Sequence, residues 1–273
     1  MTREQMFSPA PRHFRSLVPL APPASEGASY NKFRPCATFS GAFLCGSEWD
    51  EWVLVSALVS PRSVVIEFGA RFGTTSCNLA AATHNSGLVV SVEPDPRAHR
   101  HLLHNRDLHH CNFAAVLGTV SAIPLRMGAL RRGQYHQKTL PATNASLPNF
   151  DFQHIEAQIG AKFDTALIDC EGCFDFIPLA LIRQLKLILL EEDAVNSLIS
   201  ARWRQKLRTF GFRRVWNAHD TYNMPGNNFS KWMMHSAWLH NTSTAASPTS
   251  CLEYSVRMNY SRDKLWCVPH QVV

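Results

Sequence analysis

The sequence predicts an α/β fold: a mostly parallel sheet with helices on both faces, closed by a C-terminal antiparallel hairpin. Three observations predict it. Short apolar runs rich in Val, Ile and Leu alternate with helical patterns between residues 47 and 212, as in successive βαβ units. The runs are continuously apolar, as strands covered on both faces are. The last two strand-like segments, 212–219 and 231–240, are joined through a Pro-Gly loop and no helical pattern, so they run antiparallel.

The elements follow in order. Residues 1–40 are rich in Pro, Ser and Ala without periodicity and are expected to be a disordered leader. SEWDEWVLVSALV has Ser47 as N-cap and apolar residues at helical spacing, until Pro61 ends the helix. VVIEF (64–68) is a strand running into a glycine turn, and TTSCNLAAAT (74–83) is a helix. LVVSVEP (88–94) is a second buried strand, followed by a helix over 96–108 with a proline in its first turn. NFAAVLG (112–118) is a third strand. The stretch after it is read as loop or insertion, with a strand possible inside it. A helix over 149–160, a strand over 163–172 ending in acids, a strand over 186–193 and a helix over 197–212 complete the alternation. Residues 41–240 thus make one domain, and 241–273 form a Ser/Thr-rich extension with no readable motif.

Composition narrows the function. The chain has 273 residues, 45% of them hydrophobic and 18% charged, with a net charge of +6. Its basic residues are scattered and not interleaved with aromatics, so no nucleic-acid partner is expected. No apolar stretch reaches the ~18 residues of a membrane span. The first residues lack the apolar core of a signal peptide, which leaves a cytoplasmic protein as the expectation, with a transit peptide as the alternative. Eight cysteines include one C-x-x-C, Cys170 and Cys173, and one pair cannot make a four-ligand zinc site. Reduced, partly buried thiols are expected. Four N-x-S/T sequons, beginning at Asn144, Asn228, Asn241 and Asn259, are discounted for want of a signal peptide.

The chemistry concentrates in VVIEFGARFGTTSC (64–77). Its Gly69 and Gly73 make G-x-x-x-G, which is neither the dinucleotide fingerprint nor a phosphate loop. Ligands of open α/β sheets bind beyond the carboxyl ends of the strands, where strand order reverses. Glu67, Glu93 and Asp169 each end an apolar strand and so share that rim. An acid before the glycine turn repels a pyrophosphate and welcomes a cation. A carboxylate at Glu93 can accept both hydroxyls of a ribose, with Pro94 fixing the turn beyond it. A lone glycine turn also occurs in α/β proteins that bind nothing there. The acids in register are what point to an adenosine carrying a sulfonium.

Three segments carry a family resemblance. EFGARFGTTS (67–76), VVSVEPDPRAHRHLLHN (89–105) and FDTALIDCEGCFDF (163–176) resemble, in order and spacing, motifs of FkbM-type S-adenosylmethionine-dependent methyltransferases, across about half the chain. The resemblance implies a seven-stranded Rossmann-like methyltransferase fold and S-adenosyl-L-methionine as cofactor. By it, Glu67, Gly69, Ala70 and Gly73, with Thr74 at the hydroxylated helix start, line the methionine end, and Glu93 and Pro94 hold the ribose. Gly118 and Thr119 fall at the adenine, without the acid or Asn usual there, and Asp169 lies beside the methyl group. It implies methyl transfer to a small-molecule or sugar hydroxyl, with Asp169 or Glu171 taking the proton. Neither a metal nor a membrane is expected, and the sequence leaves the oligomeric state open. Two departures, Arg71 inside the turn and the cysteines around Glu171-Gly172, keep a methyltransferase-like binding module without activity in view, and an NAD-dependent oxidoreductase is a third reading.

Overall fold

The computed structural model describes residues 7–9, 39–41, 49–129, 137–143, 146–192, 198–219 and 234–242. Ser47, Cys36, Cys45, Cys251, Cys267, most of the leader and residues 243–273 lie outside them. In chain order the described elements are β1 (Phe7–Ser8), α1 (Trp49–Leu58), β2 (Val65–Phe68), α2 (Thr74–Ala82), β3 (Val89–Glu93), α3 (Pro96–Leu108) and β4 (Ala114–Leu117). They continue with β5 (Leu125–Met127), β6 (Thr139–Pro141), α4 (Phe152–Ile159), β7 (Thr165–Ile168), α5 (Leu179–Gln184), β8 (Leu187–Glu192), α6 (Leu198–Thr209), β9 (Phe212–His219) and β10 (Met234–His240).

One eight-stranded sheet has the order β1-β4-β3-β2-β7-β8-β10-β9. Strands β4, β3, β2, β7 and β8 run parallel. The chain steps outward from β2 to β4, then returns to β7 on the other side of β2. The order therefore reverses between β2 and β7, which fixes the ligand-binding crevice of such a sheet. This is the Rossmann-like architecture, with the antiparallel pair β9 and β10 at one edge. The last strand lies inside, between β8 and β9, because MHSAWLH is buried over six of its seven residues while β9 exposes Arg213 and Arg214.

The continuous apolar runs are explained by two core layers. Ile66, Val90, Val116, Ile168 and Ile188 face one side, against Ile155, Leu181, Trp203 and Leu207 of α4, α5 and α6. Val65, Val89, Ala115, Leu167 and Leu189 face the other, against Trp52, Val55, Leu79 and Leu102 of α1, α2 and α3. Successive strand residues point to opposite faces, so both must be apolar when both faces are covered.

Four expectations change. Phe7–Ser8, inside the presumed leader, forms an eighth strand paired antiparallel with β4, Phe7 opposite Val116. The ambiguous stretch after β4 holds a two-stranded unit, β5 with β6. Helix α5 and the 3-10 turn Cys173–Phe176 fill the gap between β7 and β8, which the sequence reading passed over. The described cysteines are not reduced: Cys77 is bonded to Cys111 and Cys170 to Cys173. The fold brings Cys77 on α2 to 5.2 Å from the end of α3, Cα to Cα, within disulfide range, a contact 34 residues apart in sequence. The expectation of reduced thiols does not hold for these four. No described helix is long and apolar enough to cross a membrane.

Candidate functional site

The carboxyl ends of β4, β3, β2 and β7 bring Gly118, Glu93, the glycine turn and Asp169 to one rim. Glu93 is 6% exposed, and both its oxygens are already engaged. Oε2 accepts the backbone N–H of Arg71 at 2.7 Å, and Oε1 accepts that of Asp95 at 2.7 Å. A carboxylate has about four lone-pair sites, so two remain for further donors. Burial pushes the Glu93 carboxyl up to about 7, against the opposing pull of the two backbone N–H groups and the Arg71 charge. Pro94 and the Asp95 cap, which accepts the N–H of Arg97 at 2.8 Å, start α3 just beyond.

The glycine turn is built differently from the sequence expectation. Gly69 has φ +90°, and a β-carbon on it would lie 1.6 Å from the carbonyl oxygen of Asp169. Its missing side chain thus makes room for the neighbouring strand end rather than for a ligand. Gly73 has φ +85° at the start of α2, where a β-carbon would come within 2.8 Å of Leu102. Ala70 and Thr74 are buried, and Ala70 packs in the core layer of α1 to α3. Glu67 is 1% exposed and accepts the Ser76 hydroxyl of α2 at 2.5 Å. Arg71 has φ +47° and holds its guanidinium over its neighbour Phe72, 5.1 Å from the ring centre. It is half-buried and lies close enough to act on the charges of Glu93 and Asp95.

Gly118 donates to the carbonyl of Glu93 at 3.2 Å, which ties β4 to β3. Thr119 is buried and donates its hydroxyl to Asn149 Oδ1 at 3.1 Å. The amide absent from the local sequence is therefore supplied from 30 residues away. Asn149 also accepts from Ser121 N–H at 3.0 Å. No pattern near Thr119 signals this, because a β-bridge between Thr119 and Asn149 makes the contact.

The two proposed bases differ. Among the described residues, the half-buried Asp169 carboxylate has no hydrogen-bond or ion-pair partner, while its backbone N–H donates to Phe68 at 3.0 Å. Glu171 sits at φ +53° and pairs with Lys138 at 3.7 Å, inside the loop that Cys170–Cys173 closes.

No family model and no curated protein matches the chain, so the FkbM resemblance rests on the motif residues alone. Solved structures share its arrangement. M. jannaschii TYW2 in complex with AdoMet is 15% identical over 73% of this chain and 79% of its own, with a TM-score of 0.41. Precorrin-6y C5,15-methyltransferase from Geobacter metallireducens is 16% identical over 68% of this chain and 85% of its own, with a TM-score of 0.41. The Methanococcus jannaschii fibrillarin pre-rRNA processing protein is 18% identical over 66% of this chain and 67% of its own, with a TM-score of 0.42. Of a Pyrococcus horikoshii structure with the same arrangement, the chain spans 63%. At these values the likeness concerns the layout of helices and strands alone. A fibrillarin pre-rRNA processing protein is among these structures, and the expectation of a small-molecule hydroxyl acceptor with nucleic acid excluded is given up.

Proposed function

We propose that the chain is an S-adenosylmethionine-dependent methyltransferase of FkbM type, with the cofactor across the carboxyl ends of β4, β3, β2 and β7. The observation that carries this reading is Glu93. It is a buried strand-end carboxylate whose two oxygens are pinned by backbone N–H groups and keep one acceptor site each. Burial disfavours its charged form, and a pair of adjacent hydroxyl donors restores that form, as a ribose offers. Glu67 and Asp169 keep the rim acidic, which suits a cationic ligand. Gly118 and Thr119 close the far wall.

Bound S-adenosylmethionine supplies a methyl group that its sulfonium already activates. The protein's remaining task is to hold the acceptor in line and remove its proton. Asp169 is the base in this reading, because its carboxylate is not engaged by other side chains. Glu171, paired with Lys138, shapes the loop. The second reading, a binding module without activity, is favoured by Arg71, whose half-buried cation lies beside Glu93.

Isothermal titration with S-adenosylmethionine and S-adenosylhomocysteine tests the cofactor. Binding by the wild type, weakened about tenfold or more in Glu93→Gln, supports it, since hydrogen bonds to a charged group contribute about 1.5–3 kcal/mol each. No heat at millimolar ligand sinks both readings. Formation of S-adenosylhomocysteine over a panel of RNAs and hydroxylated compounds then separates enzyme from module.

A further inference from the structure

We propose that Glu51, Glu191 and His235 form a site for one divalent transition-metal ion at the carboxyl end of the sheet. The inference stands on these residues alone and does not depend on methyl transfer.

The fold brings them together from three elements. His235 of β10 is directly opposite Glu191 of β8 in the antiparallel pairing. Leu189 and Ala237, two residues away on the same strands, pack in the layer of α1 to α3, so Glu191 and His235 face that layer too. Glu51, in the first turn of α1, comes over them from above. All three are buried, at 4%, 8% and 2% exposure.

The spacing is what distinguishes a metal site from a hydrogen-bonded triad. His235 Nε2 is 3.8 Å from Glu51 Oε1 and 3.8 Å from Glu191 Oε1. That is beyond the ~3.2 Å limit of an N–H···O bond. One ligand atom from each residue lies within 4.8 Å of the other two. Atoms bound to a common ion at about 2.0–2.2 Å stand about 3–4.3 Å apart, so the observed spacing suits a shared cation. Thr75 Oγ1 donates to the other oxygen of Glu51 at 3.0 Å, the kind of outer contact that orients a ligating carboxylate.

One imidazole and two carboxylates suit Zn²⁺, Mn²⁺ or Fe²⁺ rather than Ca²⁺. The site borders the rim described above. Strand β7 pairs with β8 through Ile168 and Leu190, which sets Asp169 and Glu191 at the same level of adjacent strands. Thr75 belongs to the first turn of α2, directly after the glycine turn.

The test uses the full chain, stripped with EDTA and titrated with Co²⁺, whose visible absorption reports binding. Elemental analysis after desalting gives the stoichiometry. The expected result is one Co²⁺ per chain, with affinity lowered at least tenfold in Glu191→Gln and His235→Gln and with the far-UV circular dichroism unchanged. Should the β10 variant misfold, Glu51→Ala on α1 makes the same prediction. No Co²⁺ bound by the wild type, or equal binding in folded variants, overturns the proposal and leaves the three residues as a buried polar cluster. Neither outcome involves S-adenosylmethionine, so failure here is distinct from failure of the cofactor reading.

Discussion

The carbonyl oxygen of Asp169 stands where a β-carbon on Gly69 would be, 1.6 Å from that position, so the ends of β2 and β7 meet backbone to backbone at the strand-order reversal. An alanine at 69 must adopt φ +90° and displace a main-chain carbonyl that cannot rotate away. Gly69→Ala is expected to cost about 4 kcal/mol, combining left-handed strain with overpacking. Gly73→Ala meets only the flexible tip of Leu102 and is expected to cost about 1–2 kcal/mol. Thermal denaturation of the two variants checks this, with Gly69→Ala lowered by roughly 10 °C. Equal midpoints would refute the account of Gly69.

Glu93 makes stability depend on pH. Its folded carboxyl is raised from 4.5 to about 7, so between those values the folded protein binds more protons than the unfolded chain. Stability from this group is therefore present below about pH 4.5, declines as pH rises through the window and is lost above about 7. The full change is on the order of 3 kcal/mol. Glu93→Gln removes the slope, so its midpoint relative to wild type is expected to be higher at pH 8 than at pH 5. Parallel slopes in the two proteins would contradict the burial argument.

The two disulfides should matter unequally. Cys77–Cys111 spans 34 residues and joins α2 to the end of α3, whereas Cys170–Cys173 spans three. Replacing both Cys77 and Cys111 with Ser is expected to cost about 3 kcal/mol, because loop-closure entropy grows with the segment enclosed. Replacing Cys170 and Cys173 should cost much less. Urea titration with and without reductant tests this, and insensitivity of the wild type to reductant would count against it.

Asp169 and Glu171 are separable by kinetics once an acceptor is in hand. Asp169→Asn is expected to lower the methyl-transfer rate about 10²–10⁴-fold while leaving cofactor affinity within a fewfold. Glu171→Gln, which loses a partly exposed pair with Lys138, is expected to stay near wild type in rate. The reverse ranking would move the base to Glu171.

Most of the parallel sheet was legible in the chain because burial on both faces forces continuous apolar runs, and caps such as Asp95-Pro96 mark where helices begin. The acids ending those runs were legible for the same reason, since a charge in an otherwise apolar strand marks its end. The two-residue strand Phe7–Ser8 was not, because pairing with β4 and not composition makes it a strand. The place of β10 inside β9 was likewise hidden, as a hairpin pattern does not say which strand faces the sheet.

By itself, then, the sequence determined the alternation of elements and the mostly parallel sheet closed by a hairpin. Only the tertiary structure decided that Gly69 yields to the Asp169 backbone, that Asn149 reaches Thr119, and that Glu51, Glu191 and His235 converge. The reason is physical. Periodicity and capping act over a few residues and are written locally, whereas these contacts join positions about 30 to 184 apart in the chain, which only the closed sheet brings within bonding distance.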